Sequence, residues 1–561
     1  MEVLNLTLKN ILQSTRWLFC LFLFILIAAN GMAQNGSMIE VKGKVIDSTG
    51  ESLIGASVVV QDDNAIGTVT NMDGYFTLTV KKGSNLLVSY IGYDSQVIQA
   101  ATNKELVVTL KENAVTLDQV VVVSYGTAKK QEIIGSVSSV NVKDLNSTPT
   151  TRMEQALQGK IAGVMVTQAN GEPGAGMNIS VRGVGTIGDS DPLYVIDGIP
   201  TKTGLNFINP NDIESISVLK DASAAAMYGS RAANGVVLVK TKTGKEGRFT
   251  MDFDAYWGVQ TNLKKFDMLD ASEWASIRNE AFLNDNPGGT KPWGNTNLGK
   301  GTDWQDVILR NGSIQNYNLS LTGGSDKFQY ALSLNHFDQE GIIRYSDYDR
   351  NSIRANFTAN PVKWLQIGNN TSFSRVKQNG VDVEVDGVLK SAILSVPTMK
   401  VYNEDGGFAG PNTLLEGNAR NPLAMAASSN INNLTYRFTD NAFVQFNIVK
   451  GLTFKTSLGL DLLVENNRDF DPTYKEGDVD NTVSSLNQAT NMQLDWIWEN
   501  VLNYKFNIKK NNFTVLAGFS MEENVKDWED ITKSNFIGNY DFLQYLSNGS
   551  VVDASDVTGL R

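Results

Sequence analysis

The sequence predicts a mainly β protein: a small β-sandwich, then a compact α+β domain, then an antiparallel transmembrane β-barrel that is incomplete in this chain. Three observations predict it. Between Ile39 and Leu110, short β-branched runs are cut by turn residues about every ten positions. Helix and strand signals mix between residues 133 and 245. From Gly247 onward, apolar and polar residues alternate with the period of two that one-sided strands require.

The opening residues 1–33 read as a secretory signal. Lys9 and Arg16 stand before an apolar run from Trp17 to Ala29, and Gly31-Met32-Ala33 supplies small residues at −3 and −1. Cleavage is expected between Ala33 and Gln34. The rival, a membrane anchor, is disfavoured because 13 apolar residues fall short of the roughly 20 that span a bilayer as a helix. Cys20, the one cysteine, lies inside the run, so the mature chain is expected to contain none.

Composition then excludes several functions. The 561 residues carry 48 basic and 60 acidic side chains, a formal charge of −12, with one histidine. That leaves no basic excess to neutralise the phosphates of a nucleic acid. Metal sites of several His or Cys ligands, a disulfide and a Cys-His dyad are unavailable, and a Ser-His-Asp triad would have to use His336. Charged residues make up 19 %, below the roughly 25 % of ordinary soluble domains.

Residues 34–112 form the expected sandwich, antiparallel, with strands at Val41–Ile46, Ala56–Gln61, Tyr75–Val80, Leu86–Tyr90 and Leu106–Leu110. Asp47-Ser48-Thr49-Gly50, Asn71-Met72-Asp73-Gly74 and Lys82-Gly83-Ser84 are the turns. The stretch GKVIDSTGESLIGASVVVQDDNAIGTVTNMDGYFTL resembles the carboxypeptidase-regulatory-like domain, an immunoglobulin-like sandwich without chemistry of its own. Asp62, Asp63 and Asp73 read as solvated turn carboxylates rather than calcium ligands.

Residues 113–132 read as a linker containing LDQVVVVSYG, Leu117 to Gly126. This is either one more buried strand or an extended segment that another protein captures by strand addition. Composition does not separate the two, but the polar Thr127–Glu132 that follows suits a linker.

In residues 133–245, Thr151-Arg152-Met153-Glu154 reads as a capping box opening a short helix that Gly159 stops. Asp221 is expected to cap a second helix, Ala222–Tyr228, ended by Gly229. Strands are expected at Val164–Gln168, Asn178–Arg182, Leu193–Ile196, Ser215–Leu219 and Val236–Thr241. Gly183 to Gly188 has dinucleotide-loop spacing after a strand. It is rejected because the acidic, proline-containing Asp189-Ser190-Asp191-Pro192 follows where a helix N-terminus would have to hold the pyrophosphate.

LQGKIAGVMVTQANGEPGAGMNISVRGVGTIGDSDPLYVIDGIP (Leu157–Pro200) and INPNDIESISVLKDASAAAMYGSRAANGVVLVKTKTGK (Ile208–Lys245) resemble the plug domain of the SusC/RagA family of TonB-linked outer-membrane proteins. The order of leader, sandwich, valine run and plug agrees with that family. The resemblance implies plug-motif positions Arg182-Gly183, Asp197-Gly198 and Tyr228-Gly229, and a TonB box at Val120, Val121, Val122, Val123 and Ser124.

Residues 246–561 are expected to be the first part of the barrel. Met251, Phe253, Ala255, Trp257 and Val259 face one way and Asp252, Asp254, Tyr256 and Gln260 the other. Leu452, Phe454, Thr456, Leu458 and Leu460 likewise oppose Thr453, Lys455, Ser457 and Asp461. Short turns near 323–326, 360–363, 447–450 and 507–510 alternate with long connections near 261–313, 338–351, 377–438 and 464–490. That is the pattern of tight periplasmic turns and extended outer loops. His336 continues the face of Leu332 and Leu334, an interfacial position rather than a catalytic one. Nine or ten strands are legible before Arg561, against about 22 in plugged transporters. With no closing strand or terminal aromatic, the chain reads as truncated.

The resemblance implies a TonB-dependent transporter of the Gram-negative outer membrane, sandwich and plug on the periplasmic side. It implies import of oligosaccharides or peptides with a SusD-like surface lipoprotein as lid. TonB, energised by ExbB and ExbD, would pull the Val120–Ser124 segment and remodel the plug. No enzyme activity, catalytic residue, metal or cofactor is expected. A secreted multidomain β adhesin or glycan-binding protein, its strands arranged in sandwiches, is the alternative.

Overall fold

The computed structural model describes residues 38–560 apart from 49, 62, 91–92, 101–105, 112–119, 124–125, 130–136, 142–151, 222–225, 384–386, 510 and 551–556. The leader and its cleavage position, Ala33 and Gln34, lie outside these residues. The chain forms two units, Met1–Gln119 and Val120–Arg561.

In the first unit, alternate residues go inside because successive strand side chains point to opposite faces. Val41 and Val45 on β1 (Met38–Ile46) are buried, as are Val58 and Val60 on β2 (Ser57–Val60). They share one core with Phe76, Leu78 and Val80 of β4 (Tyr75–Lys81) and with Leu86 and Val88 of β5 (Asn85–Ser89). With β3 (Asp63–Val69), β6 (Gln96–Gln99) and β7 (Leu106–Thr109) these make two sheets, ordered β4-β1-β7 and β3-β2-β5-β6. The pairing is antiparallel except that β7 runs parallel to β1, from Gly43↔Leu106 to Ile46↔Thr109. The expected sandwich is therefore present with one parallel pair. The two strands absent from the sequence reading, β3 and β6, are the edges of one sheet. Ile66, Val69 and Val97 are exposed there, so no buried face writes an alternation into them.

The second unit begins with a hairpin of β8 (Val120–Val123) and β9 (Gly126–Lys129). A five-stranded sheet follows, ordered β10-β15-β16-β13-β14: β10 (Val137–Asn141), β13 (Leu193–Ile196), β14 (Ile199–Thr201), β15 (Ile213–Leu219) and β16 (Val236–Thr241). A separate ribbon pairs β11 (Val164–Gln168) with β12 (Met177–Val181). Met153, Leu157, Ile179, Leu205, Ile213 and Val237 are among the residues of its core. The helix at Met153–Ala156 has Arg152 at its N-cap without a side-chain cap. The expected capping box falls on Thr151, which is outside the described residues, and the Glu154 carboxylate accepts the Leu205 N–H at 2.5 Å. Of the second expected helix, only Ala226 to Tyr228 are described, and they belong to 3-10 turns, Ala226–Ala232, broken at Gly229.

The rest of the chain forms one antiparallel ten-stranded sheet: β17 (Gly247–Gln260), β18 (Gly312–Gly324), β19 (Phe328–Glu340), β20 (Asp347–Val362), β21 (Leu365–Gly380), β22 (Asn430–Val449), β23 (Leu452–Asp471), β26 (Ser485–Ile508), β27 (Asn511–Ser534) and β28 (Val557–Leu560). A small ribbon, β24 (Tyr474–Glu476) with β25 (Val479–Asn481), sits in the connection after β23. One continuous sheet replaces the separate sandwiches that an adhesin would need. The short turns fall where expected, between β18 and β19, β20 and β21, β22 and β23, and β26 and β27.

Two long connections, 261–311 and 381–429, carry helices that the sequence reading missed. Ala271–Asp285 opens with a formed capping box between Asp270 and Glu273, a D-x-x-E signal present in the sequence. Trp304 and Ile308 from the first connection share a buried cluster with Val388, Ala392, Met399 and Ala426 from the second.

Candidate functional site

The two faces of the large sheet differ in chemistry. One carries exposed apolar side chains, Phe253, Trp257, Leu332, Leu334, Ile353, Ile367 and Leu458 among them. Near the short turns that face is rimmed by stacked rings: Phe328 on Phe357 at 6.2 Å, Trp364 on Phe446 and Phe446 on Phe454 at 6.3 Å, and Phe506 on Phe513 at 5.3 Å. At the opposite end Tyr317 stacks on His336 at 6.3 Å, and His336 Nδ1 lies 2.8 Å from Asn351 Oδ1. From Phe328 to His336 a strand tilted by about 40° climbs roughly 20 Å, close to the roughly 25 Å apolar band of membrane barrels.

The other face is polar and meets the compact α+β domain. Asn318, Arg350, Arg354, Asn356, Arg437, Asn441 and Asp461 are all buried on it. The central contact is made by a hairpin. Asp197 and Gly198 join β13 to β14 with φ of 48° and 96°, both positive as a two-residue type I′ turn requires. The turn thrusts the Asp197 carboxylate at the wall, where it accepts from the Arg354 guanidinium, the two side chains being 9 % and 8 % exposed. The same carboxylate accepts from Thr241 N at 2.9 Å and Thr241 Oγ1 at 2.6 Å. Asn441 Nδ2 donates to the Asp197 carbonyl at 2.6 Å.

Further contacts extend this interface. Arg437 makes a two-pronged pair with Asp461 at 2.8 and 2.6 Å and donates to Thr201 Oγ1 at 3.0 Å. Arg350 donates to the Asn206 carbonyl at 2.9 Å, and Asn209 Nδ2 to Asn318 Oδ1 at 2.7 Å. Asn356 Nδ2 donates to the Lys242 carbonyl at 2.8 Å. Arg350 Nε, Arg354 Nε, Asn356 Oδ1 and Asn441 Oδ1 are buried without a partner among the described residues. Burial raises the carboxyl pKa of Asp212 against the opposing pull of Arg354, the Ser333 hydrogen bond, Lys242 and Arg350.

The structure unites only some of the sequence-predicted positions. Asp197, Gly198 and Tyr228 line one cavity of about 570 Å³ together with Asn441, Lys455 and Glu499. Arg182 and Gly183 lie elsewhere, at another pair of positive φ angles, 61° and 90°. The Arg182 guanidinium pairs with Asp221 in a half-exposed setting, where such pairs contribute little. Gly229 does not line that cavity. Val120–Val123 is paired strand, and Ser124 is outside the described residues. The wall partners Arg354, Arg437 and Asn441 went unrecognised. Their one signal was a cation or amide in the polar register of an alternating strand. Among the described residues no three of His, Cys, Asp and Glu are grouped to hold a metal.

An apolar-faced sheet with rings at both ends, and a compact domain keyed to its polar face, define a plugged membrane β-barrel. Residues 129–236 match the TonB-dependent Receptor Plug Domain and residues 41–122 the CarboxypepD_reg-like domain. The chain is 33 % identical to TonB-dependent receptor P3 of Formosa agariphila over 95 % of its own length and 52 % of that protein's. It is also 33 % identical to TonB-dependent receptor SusC of Bacteroides thetaiotaomicron, over 87 % of this chain and 49 % of SusC. The RagAB peptide importer in its open-open state superposes with a TM-score of 0.68 at 26 % identity, covering 79 % of this chain and 53 % of that one. The chain belongs to the SusC/RagA type of TonB-dependent receptors. It spans about half the length of the curated relatives just described.

Proposed function

We propose that the protein is the channel component of a TonB-dependent importer in the outer membrane, taking up oligosaccharides or peptides. The observation that carries this reading is the Asp197 hairpin held against the barrel wall by polar contacts. A plug glued in by apolar area would resist displacement, whereas each polar contact here exchanges for water at a net cost of about 0.5–1.5 kcal/mol when neutral and about 1.5–3 kcal/mol when one partner is charged. Such an interface seals at rest and yields to a pull. In this reading TonB, driven by ExbB and ExbD, takes the Val120–Ser124 segment by strand addition. Capture would first require opening the β8–β9 hairpin. A SusD-like surface lipoprotein would present cargo to the outer loops, as the similarity to SusC and the RagAB importer supports. Deleting Leu117–Tyr125 from the protein in its native membrane is expected to abolish uptake while leaving membrane insertion intact. Uptake that survives the deletion overturns the mechanism.

A further inference from the structure

A groove of about 460 Å³ opens on the apolar outer face of the large sheet, toward the end that carries the long connections. One row of five cross-strand neighbours builds it: Phe253, Leu319, Leu334, Ile353 and Phe373. The exposed rings of Phe253 and Phe373 stand as walls, and the shorter branched side chains between them leave the hollow.

The next row toward the long connections is polar at its edge: Tyr317, His336, Asn351 and Arg375. Asn351 Oδ1 lies 2.8 Å from His336 Nδ1, and Asn351 Nδ2 donates to Asp349 at 2.9 Å. Arg375 leans across from β21 to the same carboxylate, also at 2.9 Å. The remaining N–H groups of Arg375 have no hydrogen-bond partner among the described residues. Neither has the carboxylate of Asp338, two positions beyond His336 on the same face of β19. Asp338, Asp349 and Lys377 form the row above. With Arg375, the rim of the groove carries two carboxylates and two cations, and no net charge.

Resting on the membrane reading of this face, we infer that the groove holds an acyl chain of a membrane lipid whose head is the zwitterion phosphoethanolamine. The chain lies in the hollow, and the head stands at the level of the Tyr317–His336 stack, where amphipathic rings meet headgroups. The phosphate accepts from the free N–H groups of Arg375, whose planar fork suits phosphate oxygens. The ammonium donates to Asp338. Because Arg375 reaches over β20, the two protein charges stand about one strand spacing apart, roughly 5 Å, the scale of the short link between phosphate and ammonium in such a head. An anionic head would set its phosphate beside Asp338 with nothing to offset that carboxylate, and a cationic one would do the same to Arg375.

The test uses the purified protein in detergent, with retained lipid counted by native mass spectrometry after titration with phosphatidylethanolamine or phosphatidylglycerol. The unsubstituted protein should retain phosphatidylethanolamine about fivefold better, the upper worth of one exposed ion pair. Asp338→Asn should erase that preference. Leu334→Trp, which fills the hollow from its floor, should abolish retention of both lipids while heat-modifiable migration is unchanged. Equal retention of the two lipids by the unsubstituted protein is the mark of unselective lipid and overturns the inference. A preference that survives Asp338→Asn, or lipid that survives Leu334→Trp, overturns it as well. If Leu334→Trp forms no heat-modifiable barrel, Asp338→Asn decides alone. The measurement needs neither TonB nor uptake, so its failure and failure of the deletion experiment are separate results.

Discussion

The Asp197 carboxylate, at the tip of a two-residue turn in the plug, meets the Arg354 guanidinium on the barrel wall, with both side chains more than nine-tenths buried. Thr241 closes the other side of the carboxylate with two hydrogen bonds, so the charge is fully held. Removing one partner of a buried pair strands the other and costs about 3–5 kcal/mol. Asp197→Ala is therefore expected to loosen the plug by that order, and Asp197→Ala/Arg354→Ala by clearly less than the sum of the single changes. Urea-dependent proteolysis of the plug in detergent measures both. Additive effects would show that the two residues act separately.

Gly198 makes a second prediction. Its φ of 96° and the Asn441 Nδ2 lying 3.1 Å from where a Cβ would stand leave no room for a side chain without backbone strain. Gly198→Ala is expected to cost about 1–2 kcal/mol and to disturb the Asn441 bond to the Asp197 carbonyl. Unchanged plug proteolysis in this variant would contradict the turn geometry.

Asp212 fixes the sign of a pH effect. Burial keeps its carboxyl protonated to higher pH than in the unfolded chain, where 3.8 is the ordinary value. As pH rises past that value the unfolded state releases its proton first, so stability falls until the folded carboxyl has also ionised. Asp212→Asn is expected to remove this fall and to leave the plug at least as stable at pH 7. Unfolding followed across a pH series checks it, and a variant whose stability falls just as steeply defeats it.

The two faces of β23 predict opposite tolerance. Leu458 is outward and exposed, whereas its neighbour Ser457 lines the cavity beneath the Asp197 hairpin. Leu458→Arg is expected to cost about 2–4 kcal/mol on a lipid-facing midplane and to reduce heat-modifiable barrel in outer-membrane fractions. Ser457→Asn should leave assembly unchanged. Equal effects of the two would argue against lipid on the Leu458 side.

Much of this architecture was legible wherever one face of an element is buried. Period two separated Leu458 from Ser457, and Gly, Asn, Lys and Pro marked the four tight turns. What escaped had a physical reason in each case. β3 and β6 are exposed edges without an alternating pattern. The helix at Ala271–Asp285 stands in a connection read as loop, although Asp270 and Glu273 announce it. Arg354 looked like any polar residue of a barrel strand, because its meaning depends on a partner 157 positions away in the chain. Turn chemistry sets Asp197 locally, but the docking of one domain on another selects its partner.

The cluster shared by connections 261–311 and 381–429 has an evolutionary consequence. Trp304 donates its indole N–H to the Val396 carbonyl at 2.9 Å, and Thr302 Oγ1 donates to the Met399 carbonyl at 2.7 Å, so neither loop has a complete interior alone. A graft of one loop from a relative would bring half a core with it. Diversification at this mouth must therefore proceed by paired changes, and natural variants should inherit the two segments as a single block.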